Sequence, residues 1–461
     1  MTDLLLLTHP SSATPQLPSV SMQKNITKQG SLSNSLQHTM VNFVKVRPFN
    51  DSCLEELRSV FHEKYQGCRV DLENINNVTQ HQGESRLMRL DVVIRNDVEG
   101  CVSKVGVFVK TLDDEDEGSK RSFNCQFTRF MAREVLFYTK LFPSIIKDNL
   151  CNKRLQQIIP KCFFANSDDF CVSVSTKIFG CCLPAIFCSK KKCVETGTIV
   201  LEDLSKKYNN IKNVDKNELL NKDHLESALT SLAHFHGASW RWVYKNKNLD
   251  DNFRKLETAL HCDSWYLVFC FKTIFKMIRR MLMELMKNSG ADQKLIEKVD
   301  NFLTDKAFKI LDEVWCNKSK SDYETIIHGD YWSSNLLFRY NENGRPVDTF
   351  IVDFQHIGLG SPFRDILSLV YASTTSTFRA KHLDSLIKHY YQHFQKYRQY
   401  QNSISSSFDN FYHGFCKSRG FGFVWGLYIV SVGKYFHRKV YRNTIKYFSF
   451  VPRHQRKVCV E

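Results

Sequence analysis

The architecture follows from a segment that begins Ile326-Ile327-His328-Gly329-Asp330-Tyr331-Trp332-Ser333-Ser334-Asn335-Leu336-Leu337-Phe338 and reaches Ile351-Val352-Asp353-Phe354-Gln355. Between its two apolar runs lies Asn341-Glu342-Asn343-Gly344, a turn signal that predicts a β-hairpin. Asn335 and Asp353 lie equally far from Gly344 on either side. A hairpin centred there brings these two side chains together at its open end, with Asp330 on the loop just before it.

An amide and two carboxylates in this arrangement suit phosphoryl transfer from a magnesium nucleotide. Mg2+ prefers oxygen ligands, which Asn335 and Asp353 would supply, and Asp330 could orient an acceptor hydroxyl and take its proton. The order of acid, amide and strand-borne acid matches the template of kinases. The alternative is a buried hairpin that merely carries these residues, but their combination with His328-Gly329 and Trp332 is more specific than any single pair.

A lysine that could pair with phosphate is found on an earlier strand. Residues 87–94 and 102–112 are predicted as two strands that flank a turn at 96–100. On the second strand, Lys110 points to the same side as the small Gly106. Its sequence, Val107-Phe108-Val109-Lys110, takes the place of the kinase Val-Ala-Ile-Lys.

Helical spacing provides a partner for this lysine. The apolar stripe of the predicted helix 127–141 consists of Phe127, Phe130, Met131, Phe137, Tyr138 and Leu141, and Glu134 falls inside it. A carboxylate on an apolar face needs a cation, because burying it unpaired is costly. Lys110 is the expected partner. The alternative places Glu134 at the edge of the stripe, paired with Arg129 or Arg133.

These motifs, from His328-Gly329-Asp330 to Asp353-Phe354-Gln355, resemble the ecdysteroid kinase-like (CHK kinase-like) family, which is related to choline kinases and aminoglycoside phosphotransferases. The resemblance covers roughly residues 42–397. It implies that Asp330 is the catalytic base, and that Asn335 and Asp353 complete the catalytic set by holding Mg2+. It also implies that Lys110, held by Glu134, contacts the phosphates of ATP.

Further roles are implied by the same resemblance. Asp365 would brace the catalytic loop, and His328 would orient it. Backbone amides at Gly83 and Ser85, in a loop with a single glycine, are expected to meet the phosphates of ATP. Glu202 and Leu204 lie in Ile199-Val200-Leu201-Glu202-Asp203-Leu204, which resembles the hinge beside adenine; a plain buried strand explains its first three residues equally well.

The expected fold class is α+β, a two-lobed protein-kinase-like fold with a small β-rich N-lobe and a large helical C-lobe. Residues 1–40 are rich in Ser, Thr, Gln and Asn and are predicted to be a disordered tail. Residues 41–205 would form the nucleotide-binding N-lobe. Residues 206–461 would form the C-lobe, which carries catalysis and acceptor binding.

Composition limits the other function classes. The 461 residues include sixteen scattered cysteines and begin without a signal-peptide pattern, so free thiols in a cytoplasmic protein are expected. The net charge of +16 is concentrated near the C-terminus. No nucleic-acid motif accompanies it, so nucleic acid is not expected as a partner. The two longest apolar stretches are broken by charges or too short, so no transmembrane segment is expected.

The sequence therefore predicts an ATP- and Mg2+-dependent kinase whose partner is a small hydroxylated acceptor, in particular an ecdysteroid-like or other apolar alcohol. Residues 354–364, which include Gly358, Gly360 and Pro362, are too few to lay out a peptide substrate between Asp353 and Asp365. The alternatives are a choline- or ethanolamine-type kinase, and a catalytically silent nucleotide- or ligand-binding protein. The sequence does not define an oligomeric state.

Overall fold

The structure is a computed structural model. The parts of the chain that it describes are residues 51–78, 86–112, 130–147, 152–167, 197–205, 208, 219–246, 276, 279–284, 286–304, 307, 309–310, 323–398 and 407–436. By internal contacts the chain divides after Pro48, and every described residue belongs to the unit Phe49–Glu461. The predicted tail, the C-terminal basic residues after 436, and the calls on Gly83, Ser85 and Arg129 lie outside the described residues.

The N-terminal part is an antiparallel sheet of five strands in the order β1-β2-β3-β5-β4. Its strands are β1 (Arg69–Val78), β2 (Arg86–Asn96), β3 (Cys101–Leu112), β4 (Cys162–Ser167) and β5 (Gly197–Glu202). The predicted pair of strands at 87–94 and 102–112 is confirmed, because β2 and β3 pair from Arg86↔Thr111 to Asn96↔Cys101.

Alternation along β3 divides its side chains between two environments. Val107 and Val109 are fully buried against the first helix, α1 (Asp51–Lys64), which contributes Leu57 and Phe61 to the same cluster. Lys110 lies on the opposite face of the strand, away from this cluster. The small core under the sheet therefore fixes the direction in which the lysine points.

The second helix, α2, spans residues 130–147 and is not a uniform α-helix. Its middle turn, Phe137–Leu141, is π-helical, and the N–H of Phe142 donates to the carbonyl of Phe137. Such turns are rare and often lie at functional sites. The apolar stripe is confirmed in its described part, where Met131, Phe137 and Leu141 are buried.

The C-terminal part is mainly helical and contains two short two-stranded sheets. Its elements, with the short α3 that precedes β4, are α3 (Asn152–Gln156), α4 (Lys222–Asn246), α5 (Gln293–Phe302), β6 (Thr325–Ile327), β7 (Leu336–Tyr340), β8 (Pro346–Ile351), β9 (Gly358–Gly360), α6 (Phe363–Ser373), α7 (Ser376–Arg398) and α8 (Phe408–Phe436). Strand β6 pairs with β9, and β7 pairs with β8. The α+β class and the two-lobed architecture are those predicted.

Helix α4 begins at Lys222, and the side chain of Asn221 caps it by accepting the N–H of His224 at 3.0 Å. Asp223 lies inside the first turn and pairs with Arg345 at 3.0 Å. Both residues can cap, and Asn221 takes the position because the backbone already turns at Lys222.

The two lobes belong to one unit by internal contacts, so the predicted boundary between residues 205 and 206 stays a prediction. Of the cysteines in the described ranges, Cys68, Cys101, Cys162 and Cys416 are free thiols. No helix in those ranges has the length and apolar character needed to cross a membrane.

Candidate active site

The predicted hairpin is present and sets the geometry of the site. Leu336 pairs with Ile351, and the strands continue to the turn at residues 341–345. At the open end of the hairpin, the N–H of Val352 donates to the carbonyl of Asn335 at 3.1 Å. Asn335 and Asp353 therefore lie on the two adjacent segments that flank the hairpin. Asp330 lies on the loop between β6 and β7, as the spacing predicted.

Lys110 joins the two lobes of the site. Its Nζ donates to Glu134 Oε2 at 2.8 Å and to Asp353 Oδ1 at 2.9 Å. Glu134 is buried, and Lys110 and Asp353 are largely shielded from solvent, so these charges interact strongly. The predicted contact between Lys110 and Glu134 is confirmed.

The charges of this group are set by burial and by their neighbours. Burial alone would lower the pKa of Lys110, but the charges of Asp353 and Glu134 and their hydrogen bonds raise it above its ordinary value. Burial would likewise raise the pKa of Asp353, but the charge and hydrogen bond of Lys110 lower it below its ordinary value. Both groups are therefore ionised at neutral pH.

The backbone at Asp353 is fixed by its neighbours. Asp353 adopts a left-handed conformation with φ of 69°, which is uncommon for a residue with a side chain. The next residue, Phe354, is fully buried, and its ring stacks on Phe137 of the π-helical turn with centroids 3.9 Å apart. Its N–H also donates to the carboxylate of Glu134. The helix that carries Glu134 thus holds the segment that carries Asp353.

The carboxylate of Asp330 accepts two hydrogen bonds on the same oxygen. Asn335 Nδ2 donates to Oδ2 at 3.0 Å, and Trp332 Nε1 donates to Oδ2 at 3.3 Å. Burial and the negative charge of Asp353 raise the pKa of Asp330 to about 7, against the effect of these donors and of Arg364. A carboxylate with a pKa near neutrality suits a proton acceptor.

The loop before Asp330 is held by Asp365, which lies at the start of α6. Asp365 is fully buried, and its carboxylate accepts the backbone N–H groups of His328 at 2.6 Å and Gly329 at 2.9 Å. The ring of His236, on α4, is bonded to the same carboxylate at 3.0 Å. His328 contacts the carbonyl of Val352 at 3.0 Å and so ties the loop to the strand before Asp353. The expected bracing by Asp365 and the orienting hydrogen bonds of His328 are both present.

Gly329 is required by its surroundings. Its φ is +84°, and a Cβ atom built there would lie 2.0 Å from the carbonyl oxygen of His356. No side chain fits at that distance, so the loop can approach the segment after Asp353 only at a glycine.

The predicted hinge lies along β3. The N–H of Glu202 donates to the carbonyl of Lys161 at 2.8 Å, and the N–H of Asp203 donates to that of Gly106 at 3.0 Å. Leu204 is buried, and its carbonyl accepts the N–H of Tyr208 at 2.8 Å. Glu202 therefore ends β5, the strand that pairs with β3, and Leu204 lies two residues further on; Gly83 and Ser85 are outside the described residues.

The amide oxygen of Asn335 and the carboxylate of Asp353 are oxygen donors of the kind that Mg2+ prefers. The amide nitrogen of Asn335 donates to Asp330, so the amide oxygen of Asn335 points away from Asp330. Asp353 is an ionised carboxylate on the adjacent segment of the hairpin end. Within the described ranges no three His, Cys, Asp or Glu side chains gather as a metal cluster. Two protein oxygens suffice for Mg2+ when phosphates and water complete its shell.

Sequence reasoning missed three contributors to this site. Gln355 accepts from Lys110 at 3.5 Å and donates to Asp353 Oδ2 at 3.1 Å. His236 was not among the predicted site residues; its partners are Asp365 and Tyr390. Trp332 was quoted in the motif without a role. Its position two residues after Asp330, in a loop, was the only signal that it could reach that carboxylate.

The two lobes, the strand-borne lysine with its helical glutamate, and the acid-bearing loop and hairpin define a protein-kinase-like fold. The model of the ecdysteroid kinase-like family matches residues 83–403, and the chain belongs to that family. Among solved structures, an ethanolamine kinase of Plasmodium vivax is similar at 10% identity, with 94% of this chain and 98% of that chain covered and a TM-score of 0.40. No curated protein matches the sequence significantly.

Proposed function

We propose that the protein is a kinase that transfers the γ-phosphate of ATP to a hydroxyl group of a small molecule, with an ecdysteroid-like or other apolar alcohol as acceptor. The observation that carries this proposal is the position of Lys110 Nζ, 2.8 Å from Glu134 and 2.9 Å from Asp353. An ion pair between the strand lysine and the helix glutamate is one of the arrangements that active protein kinases require. Its presence here supports an enzyme over a catalytically silent relative.

In this proposal each residue has a separate task. Lys110 binds the phosphates of ATP and is held by Glu134. Glu202 and Leu204 lie beside the adenine ring of ATP. Asn335 and Asp353 hold Mg2+, which neutralises charge on the phosphates when bound. Asp330 orients the acceptor hydroxyl and accepts its proton.

A small acceptor is supported by the segment after Asp353. Residues 354–356 form a tight turn, and β9 follows at once, pairing with β6 from Thr325↔Gly360 to Ile327↔Gly358. All three residues of β9 are buried, and α6 begins at Phe363. This segment offers no extended edge to a peptide. An apolar acceptor is supported by two half-buried rings near the loop, Trp332 beside Asp330 and Phe130 against His356 at 4.4 Å.

The test is the transfer of labelled phosphate from ATP, with Mg2+, by the purified full-length chain. The acceptor panel contains ecdysteroids, other sterols, choline, ethanolamine and a generic protein substrate. We expect labelling of a steroid or another apolar alcohol. Labelling of choline or ethanolamine alone would replace the apolar acceptor with an amino alcohol, and labelling of protein alone would contradict a small acceptor.

The variant Asp330→Asn ties this activity to the site. It keeps the shape of the side chain but removes the proton acceptor, so kcat should fall on the order of a hundredfold or more while MgATP binding persists. Asp97→Asn is the matched control, because Asp97 is exposed in the turn between β2 and β3. Wild-type kcat in Asp330→Asn would remove Asp330 from the catalytic role.

A further inference from the structure

Trp332 is attached to the carboxylate that is proposed to act as the base. Its indole Nε1 donates to Asp330 Oδ2 at 3.3 Å, and Asn335 Nδ2 donates to the same oxygen at 3.0 Å. Asn335 also donates to the backbone carbonyl of Asp330 at 2.9 Å, which fixes the amide. Two N–H donors, one from Trp332 and one from Asn335, thus restrain the rotation of the carboxylate about χ2. This torsion angle is otherwise loosely constrained in aspartate.

Both donors converge on one oxygen, which makes the two carboxylate oxygens unequal. Hydrogen bonds to Oδ2 stabilise negative charge there and make this oxygen the poorer proton acceptor. Within the described part of the chain, no donor is bonded to Oδ1. The oxygen Oδ1 is therefore the better base.

The indole of Trp332 also differs from its neighbours in its packing. Tyr331 is fully buried and donates to the carbonyl of Ala228 at 2.8 Å, whereas Trp332 is half-buried and lies outside the buried core. Its backbone is extended, with φ of −150° and ψ of 175°. A large apolar ring thus lies at the surface of the loop, beside the carboxylate.

We propose that Trp332 is a positioning residue for phosphoryl transfer, which directs Asp330 Oδ1 at the acceptor hydroxyl and offers its ring as an apolar wall for the acceptor. This inference rests on the proposed function. In the transfer, the hydroxyl proton moves to Oδ1, and the acceptor oxygen forms a bond to the γ-phosphorus of ATP. The bond from that phosphorus to the β,γ-bridging oxygen breaks, and ADP leaves.

The wall selects among acceptors by shape and charge. A broad apolar ring system gains from contact with an indole face in proportion to the area it buries. A small alcohol with little apolar surface gains less. The substrate class implied is therefore an alcohol on a flat, polycyclic or similarly broad apolar skeleton.

Two substitutions separate the two tasks. Trp332→Phe removes the N–H donor and keeps a ring, so kcat should fall about tenfold, the range of one hydrogen bond to a charged group, with the acceptor KM little changed. Trp332→Leu removes donor and ring, so the same loss of kcat should be joined by an acceptor KM several-fold higher. Thermal shift with MgATP should match wild type in both.

Trp425→Phe is the matched control, because this indole also donates a hydrogen bond, to Ser368 Oγ at 2.8 Å, but lies on α8. It should lower the melting temperature and leave kcat unchanged. The double variant Trp332→Phe with Asp330→Asn should have the kcat of Asp330→Asn alone, because the tryptophan acts through the carboxylate.

Each outcome of these measurements either supports or overturns the proposed role of Trp332. Wild-type kcat in Trp332→Phe, or a further loss of about tenfold in the double variant, would overturn the positioning role. An unchanged acceptor KM in Trp332→Leu would overturn the apolar wall. An active wild type with unaffected Trp332 variants would remove this inference alone, whereas a wild type that transfers phosphate to no acceptor would remove the proposed function and this inference together.

Discussion

Asp353 and Asp365 lie at the two ends of one short segment, and they use the same functional group in opposite ways. Asp365 is fully buried, and its two oxygens are bonded to backbone N–H groups and to the ring of His236. Asp353 keeps 27% of its side chain exposed, and its partners are the ammonium of Lys110 and the amide of Gln355. One carboxylate is enclosed by backbone donors and a buried ring, and the other is bonded only to the side chains of Lys110 and Gln355.

The comparison separates what a buried carboxylate does for the fold from what it can do for a ligand. Backbone donors cannot move away from Asp365 without unfolding the loop, so this acid is part of the architecture. The flexible side chains beside Asp353 can move aside for a cation or a phosphate. An aspartate in this fold is therefore classified by the kind of donor that surrounds it, not by its burial alone.

The largest effect is expected from Asp365→Asn. The amide keeps one acceptor but turns an NH2 group toward backbone donors, which leaves buried groups unsatisfied. The free energy of unfolding should fall by about 3–5 kcal/mol, as when a buried charged partner is removed. Chemical denaturation measures it. Asp384→Asn, which only weakens an exposed hydrogen bond from Tyr412, is the control and should change stability by less than about 1 kcal/mol. A loss for Asp365→Asn as small as that of the control would erase the contrast.

A second effect is expected at the other end of the segment. Asp353→Ala should lower the stability of the ligand-free protein less than Asp365→Asn does, because Lys110 retains Glu134. The stabilisation by MgATP should disappear, which at a ligand concentration a hundred times Kd amounts to about 2.7 kcal/mol. Thermal unfolding with and without MgATP measures both quantities. A variant that still responds to MgATP like wild type would show that Asp353 does not hold the cation.

The smallest effect is a pH dependence that distinguishes the two ends. Burial would raise the pKa of Asp365, but the hydrogen bond and charge of His236, the charge of His328 and the N–H of Gly329 lower it below its ordinary value. The unfolded chain therefore binds a proton first as pH falls, and the contribution of Asp365 is present above about pH 4 and is lost below it.

The stability gap between wild type and Asp365→Asn should thus be constant from about pH 5 to 7 and shrink below about pH 4, by up to about 1.4 kcal/mol per pH unit. Denaturant titrations at several pH values measure it. A gap that widens in acid would mean that the folded protein binds the extra proton, contrary to the hydrogen bonds of Asp365.

Local patterns were sufficient to predict much of this site. The hairpin followed from a turn signal with an amide and an acid at equal distances from it, and the contact between Lys110 and Glu134 followed from two independent periodicities. Both depend on regular spacing within one element. The roles assigned to these residues stay predictions.

Other features depend on contacts that no local pattern encodes. His236 meets Asp365 across 129 positions of the chain, and the two residues share no motif. The bond from Trp332 to Asp330 depends on the extended backbone of one loop residue.

The π-helical turn at Phe137–Leu141 has a consequence for how the chain compares with its relatives. A π turn accommodates one more residue than an α turn, and each residue advances an α-helix by about 100°. Without that residue, Glu134 and Phe142 could not both keep their present orientation. A relative with an uninterrupted α-helix here should therefore align with a one-residue gap near Phe137. That gap would mark an insertion that was accepted because it let one helix present a carboxylate to Lys110 and, one turn after the π turn begins, the ring of Phe142 to Phe137.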